Sequence, residues 1–135
     1  MPVVQLIYAS HPFGFDEATI GGILGSARRN NVRDGITGAL VCREDLYLQM
    51  LEGPNEMVAA AYERILRDNR HTDILHLSTG AVQARMFPEW AMRHDPAQSW
   101  MWTAKQVADG CLEKVSAEEL NAVFQRVAQQ PPARA

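Results

Sequence analysis

The chain has 135 residues, of which 47% are hydrophobic and 21% charged, with a formal net charge of −3 and a pI near 5.8. That balance fits one soluble globular domain large enough to close a core. It lacks the clustered basic residues of a nucleic-acid binder, and no apolar run approaches the roughly 18 residues of a membrane span. The N-terminus lacks the layout of a signal peptide, which points to the cytoplasm. Cys42 and Cys111 stand alone without a CxxC pair, so neither a disulfide framework nor a metal site is expected.

Val3 to Ser10 (VVQLIYAS) predicts a strand with Val4, Leu6, Tyr8 and Ser10 on one face. HPFGF breaks the pattern, and Asp16 is placed to cap a helix running to about Asn30. Ile20, Ile23, Leu24 and Ala27 recur at helical spacing and make one apolar stripe, which continues into Asn30 and Asn31. The same helix carries Gly21, Gly22, Gly25 and Ser26. An interior glycine costs about 1 kcal/mol against alanine. Tight helix–sheet packing is the expected reason, with close approach of a flat group as the alternative.

GITGALVC and LYLQMLEG predict two strands of a hairpin, joined through Arg43 to Asp45. A second helix opens at Gly53–Pro54 with Val58, Ala61, Tyr62 and Ile65 as its apolar stripe. DILHLS and, after the Phe87–Pro88 turn, WAMRH predict two further strands. The order is that of an α+β, ferredoxin-like βαββαβ sheet with an extra strand, mixed in direction, with two helices on one face. From Ser99 onward the chain reads as helical. Gly110 serves as a stop, Ser116 with Glu119 as a capping box, and Val115 with Leu120 as a hydrophobic staple. Leu120, Val123, Phe124 and Val127 then cover the second face of the sheet, over Leu48 and Met50. The boundaries expected are 1–95 for the sheet unit, 96–129 for the helical extension and 130–135 for a disordered tail.

Within this frame Gln49 is out of place. Both faces of LYLQML read as buried, and an unpartnered amide there costs about 1–3 kcal/mol. The first and third strands of a ferredoxin-like sheet are central neighbours, so Tyr8 comes beside Gln49. Asn30 and Asn31 end the helix over the same face. Trp90 and Met92, two apart on the last strand, share a face with each other. A tyrosine, amides and a thioether between two helices suit a flat heterocycle with donor and acceptor edges. Each feature alone has an ordinary explanation: a satisfied Tyr–Gln core pair, Asn31 closing a helix in the left-handed conformation, or Trp90 and Met92 as core. A single core seldom carries so many amides together.

The motifs YAS (Tyr8, Ser10), SARRNNVRDGITGAL (Ser26 to Leu40), LYLQMLEGP, RILRDNRHTD (Arg64 to Asp73) and RMFPEWAM (Arg85 to Met92) resemble, in order and spacing, those of BLUF domains, blue-light sensors that bind a flavin. The resemblance covers about residues 1–95. It implies Tyr8 as electron donor and Gln49 as the bridge from that tyrosine to the flavin N5/C4=O edge. Asn31 would bond the C4=O/N3 side, with Asn30 toward C2=O. Met92 and Trp90 match the pair that exchange near the ring, and Arg70 and His71 fall where basic groups approach the phosphate or ribityl portion.

The function implied is photochemical signalling rather than enzymatic turnover. An electron and proton leave Tyr8 for the excited flavin and return, and Gln49 is left rotated or tautomerised, with a red-shifted spectrum. FAD is the expected cofactor, with FMN or riboflavin able to fit the same pocket, and no metal. The expected partners are a separate downstream effector and a second copy of the chain, without nucleic acid or membrane. The alternatives are a light-insensitive flavin-binding or regulatory module and an acylphosphatase-like hydrolase. The latter's Arg-containing phosphate loop has no counterpart in ASHPFGFDE.

Overall fold

In a computed structural model that describes residues 3–131, the β-branched and apolar runs form one five-stranded sheet. Strands β1 (Val3–Pro12), β2 (Thr37–Arg43), β3 (Leu46–Gly53), β4 (His71–Val82) and β5 (Arg93–Pro96) lie in the order β4-β1-β3-β2-β5. All neighbours pair antiparallel except β2 and β5, which are parallel. Helices α1 (Glu17–Asp34) and α2 (Asn55–Leu66) make the two crossovers. This is the ferredoxin-like order, with β5 added at the β2 edge.

Strand β3 is buried along its whole length because each face of the sheet has its own core. Leu6, Tyr8, Leu40, Cys42, Tyr47 and Leu51 pack under Leu24 of α1 and Val58 and Ala61 of α2, flanked by Ile20, Ile23, Ala27, Tyr62 and Ile65. Ile7, Ala39, Val41, Leu48 and Met50 pack against the C-terminal segment on the other face. That segment comprises α3 (Ala104–Ala108), a 3-10 turn at Cys111–Lys114 and α4 (Ala117–Gln129), so it is helical only in part. The Ser116–Glu119 capping box is present, Gly110 takes φ 88 after α3, and a second capping box joins Thr103 to Gln106. Trp100 and Trp102 pack against this core, as does Val115 near Leu120. The carbonyl of Gln130 accepts from Arg93 Nη2 at 2.8 Å. Residues 132–135 of the expected tail lie outside the described residues. No described helix is long and apolar enough to cross a membrane.

Three local expectations are corrected. Helix α1 runs one turn past Asn30, because the stop is Gly35, whose φ of 70 brings its N–H to the Asn31 carbonyl. Asn31 is therefore helical and not a left-handed cap. The α1 glycines do not serve helix–sheet packing: Gly21 and Gly22 are exposed, and a Cβ at Gly21 would meet nothing within 4 Å. Gly22 and Gly25 instead leave room for the guanidinium groups of Arg70 and Arg29, each at 3.4 Å from the position a Cβ would take. Third, β5 begins at Arg93, so Trp90 and Met92 precede it. The consecutive carbonyls of Ala91 and Met92 both accept from α1 side chains, a pattern the alternating backbone of a strand does not allow.

The β4–β5 connector is fastened by Glu52, which is wholly buried on β3. Its carboxylate accepts from the backbone N–H of Met86 (2.6 Å) and Phe87 (2.8 Å) and from Gln5 Nε2 and Thr37 Oγ1 (both 3.0 Å). Arg85 closes the cluster by donating to the Gly35 carbonyl at 2.7 Å and to Thr37 Oγ1 at 2.9 Å.

Gly21→Ala is expected to stabilise the chain by about 0.5–1 kcal/mol, a rise of a few degrees in Tm; an unchanged Tm would contradict an open, unstrained helical site. Glu52→Gln turns one acceptor oxygen toward donors as an NH2 group. It should cost about 1–3 kcal/mol in urea unfolding, and an unchanged midpoint would show that the carboxylate does not hold the connector.

Candidate functional site

Between α1, α2 and the covered face of β1, β2 and β3 lies a cavity of about 270 Å³. Ile23 and Ala27 of α1, Leu40 and Leu51 of the sheet, and Ala61 and Ile65 of α2 give it apolar walls. Tyr8, Gln49, Asn30, Asn31 and Ser26 bring polar groups into it, and Arg64, Arg67, Asp68, Arg70 and His71 line it from the end of α2, the turn after it and the start of β4. The size is near the lower end for small-molecule pockets. Apolar walls bordered by amides suit a planar ring with polar edges.

Tyr8 and Gln49 are cross-strand partners in the β1–β3 register. The Tyr8 hydroxyl donates to Gln49 Oε1, and Gln49 Nε2 lies 3.3 Å from Met92 Sδ. A thioether sulfur only accepts, so Met92 fixes which end of the amide faces it and turns the oxygen toward Tyr8. Tyr8, Gln49 and Met92 are 4%, 3% and 1% exposed, so this chain of contacts is dry. Burial, aided by the Asp68 carboxylate, pushes the Tyr8 phenol far above its ordinary value and keeps it neutral.

Asn31 lines the cavity while its Nδ2 donates to the Ala91 carbonyl at 2.6 Å. Arg28, one turn earlier, donates twice to the Met92 carbonyl, at 3.0 and 3.1 Å. Helix α1 thus straps Ala91 and Met92 against the site. Asn30 lines the cavity beside them.

His71 Nε2 lies 2.9 Å from the Ile65 carbonyl, which only accepts, so that nitrogen carries the proton. In the neutral ring Nδ1 then accepts from Ser10 Oγ at 2.6 Å. His71 is a fixed wall of the site. Arg70 is held by Asp68, whose carboxyl lies below its usual range because Arg70 hydrogen-bonds it. Arg64 reaches Asp34 at 3.3 Å.

Of the residues expected at the site, Tyr8, Asn30, Asn31, Gln49, Arg70 and His71 line the cavity. Met92 stands behind Gln49 through its sulfur contact. Trp90 does not join them: it packs into the core on the opposite face of the sheet, with its ring centroid 6.0 Å from the Arg93 guanidinium. The expectation that Trp90 and Met92 share a face fails because the connector turns there, with Trp90 N–H bonded to the Phe87 carbonyl and the Trp90 carbonyl bonded to Gly38 N–H.

Sequence reasoning missed Ser26, Arg64, Arg67 and Tyr47. Tyr47 shares the strand parity of Gln49, which was the available signal. Its side chain lines the cavity, and its buried hydroxyl has no hydrogen-bond partner. An orphaned buried donor in a cavity that also holds amides, a histidine and arginines is what a bound polar ligand would satisfy. The residues therefore fit a flavin.

Comparison with known proteins agrees. The family model "BLUF: Sensors of blue-light using FAD" matches residues 3–93. Photoactivated adenylate cyclase subunit beta of Euglena gracilis is 38% identical over 74 residues, which is 54% of this chain and 9% of that protein. The blue light- and temperature-regulated antirepressor BluF of Escherichia coli is 36% identical over 92 residues, 67% of this chain and 23% of that protein. The chain therefore spans less than a quarter of the length of either relative. The dark-state structure of BlrB, a BLUF protein, is similar with a TM-score of 0.78 at 29% identity, covering 94% of this chain and 96% of that one. On its match over residues 3–93, and with a fold and cavity to suit, the chain belongs to the BLUF family of blue-light sensors.

Proposed function

We propose that this chain is a cytoplasmic blue-light photoreceptor that holds FAD without a covalent bond in the α1/α2 cavity and signals to a separate protein through a switch centred on Gln49. The observation that carries the reading is the continuous contact from Tyr8 through Gln49 to Met92 along the cavity. When bound, the flavin supplies blue-light absorption and a one-electron oxidant. Asn30, Asn31 and Gln49 would hold its polar edges and Arg70 and His71 its remaining portion.

The residues of the chain supply the rest. Tyr8 would give up an electron to the oxidant that the bound flavin supplies and pass its proton along the hydrogen bond to Gln49 Oε1, then take both back. A Gln49 amide that has turned over presents Nε2 to Tyr8 and Oε1 to Met92. Sulfur cannot donate to that oxygen, so the two acceptors repel and Met92 must shift. Met92 is strapped to α1 through its carbonyl, and Trp90, two residues earlier, packs in the core of the C-terminal helices. The switch would therefore reach the 96–129 extension, the surface we assign to the partner.

The purified protein, examined by absorption before and after blue light, should show flavin bands that shift red and return in the dark. Flavin without a shift would leave only a binding module; a protein that takes up no flavin would end the proposal. Gln49→Leu and Tyr8→Phe should each retain flavin and lose the reversible shift entirely, and a normal shift in the Gln49→Leu variant would remove the switch from Gln49. Because burial holds the Tyr8 phenol above the usual value of about 10, the shift should be flat between pH 6 and 9. A titration of the shift within that range would contradict a neutral, buried Tyr8.

A further inference from the structure

Two buried side-chain atoms have no hydrogen-bond partner among the described residues: the Tyr47 hydroxyl and Trp100 Nε1. Trp100 lies in the core of the C-terminal helices under the Arg126 guanidinium, 4.2 Å from its ring, whereas Tyr47 lines the cavity. Tyr47 is 2% exposed, so solvent does not satisfy its hydroxyl. A buried donor left unpaired costs free energy, and native structures rarely keep one without a reason.

The position of Tyr47 says what it faces. It sits opposite Ser10 on β1, whose hydroxyl bonds His71, and its own ring lies 6.5 Å from that of His71. Helix α1 passes over the cavity from Gly22, which lies against the Arg70 guanidinium, to Asn30 and Asn31 beside the Met92 strap. That is about 13 Å of helix at 1.5 Å per residue. Gln49 and the two asparagines serve one end, His71 stands between with its ring 6.1 Å from that of Tyr8, and Tyr47, the next same-face pair along β1 and β3, serves the side of Arg70 and Asp68. The phenol stays a donor there, since burial pushes it above its ordinary value. Ring-edge amides are absent at this end, and the lining cations favour oxygen acceptors.

We infer that Tyr47 is a ligand-binding residue whose hydroxyl donates to a ribityl hydroxyl of the flavin's side chain, and not to the ring. The inference rests on the flavin reading above but assigns a residue and a ligand portion that the reading does not.

Tyr47→Phe tests it in the flavin-free full chain. The variant should melt at or above the wild type, because the deleted hydroxyl has no protein partner; a lower Tm would mean a structural hydrogen bond and overturn the inference. Titrated by fluorescence quenching, riboflavin and FMN should bind about 3- to 10-fold more weakly to the variant, while lumiflavin, which lacks the ribityl chain, should bind both proteins alike. Equal riboflavin affinity would overturn the role, and an equal loss for lumiflavin would place the donor on the ring instead. A wild-type chain that binds none of the three and no FAD would sink the flavin reading itself, a result distinct from any of these.

Discussion

The structure is arranged around one amide that has no business in a dry strand. Gln49 sits in β3, the strand covered on both faces, and its two ends are held unequally. The oxygen accepts a full hydrogen bond from Tyr8, while the nitrogen faces only the weakly accepting sulfur of Met92. Turning the amide therefore sets Oε1 against the Met92 sulfur, two acceptors face to face, and requires the Tyr8 oxygen to accept where its hydroxyl had donated. The orientation is firm as long as Tyr8 keeps its proton, and it loosens when that proton moves. An aliphatic residue would pack here at lower cost but has no second state of the same shape.

The connector between β4 and β5 is the element able to feel such a change. Glu52 anchors it at Met86 and Phe87, Gly38 at Trp90, and Arg28 and Asn31 at Met92 and Ala91. Between these fastenings the chain reverses its side-chain direction, so Met92 enters the core under α1 and α2 and Trp90 enters the core under the C-terminal helices. The sheet separates the two cores, and this short segment places a residue in each. Just beyond it, Arg93 pairs with Asp95 in the buried interior and donates to the Gln130 carbonyl at the end of α4. A discrete rearrangement of a packed element is the form such a signal takes, since close-packed cores yield in steps rather than continuously.

Most of the scaffold was legible because it rests on local rules. The strands announced themselves by β-branched content, the helices by the Ile20–Ala27 and Val58–Ile65 stripes, and the caps by Asp16 and Ser116. The Asn30–Asn31 pair read as a helix end, yet Gly35, able to take φ 70, was the cheaper stop. Trp90 and Met92 were placed on one face by assuming an extended backbone, which long-range bonds from Arg28 and Asn31 prevent. The bonds of the Glu52 cluster span up to 50 positions in sequence and leave no periodic trace. For the site, the parity of β3 already put Tyr47 beside Gln49, but whether its hydroxyl had a partner depended on every neighbour at once.

The same contrast separates the roles proposed for the two buried tyrosines at one cavity. A phenol that loses an electron becomes strongly acidic, and in a dry core the charge is tolerable only if the proton leaves with it. Tyr8 has an acceptor in line, the Gln49 oxygen, so electron and proton can depart together and return together. Tyr47 lies on the same wall with no base to receive its proton. Oxidising it would leave an uncompensated charge in the dry wall of the cavity. In the proposed photoreceptor both residues lie at the cavity as candidate donors, and the hydrogen bond to Gln49 favours Tyr8 for that role and Tyr47 for binding.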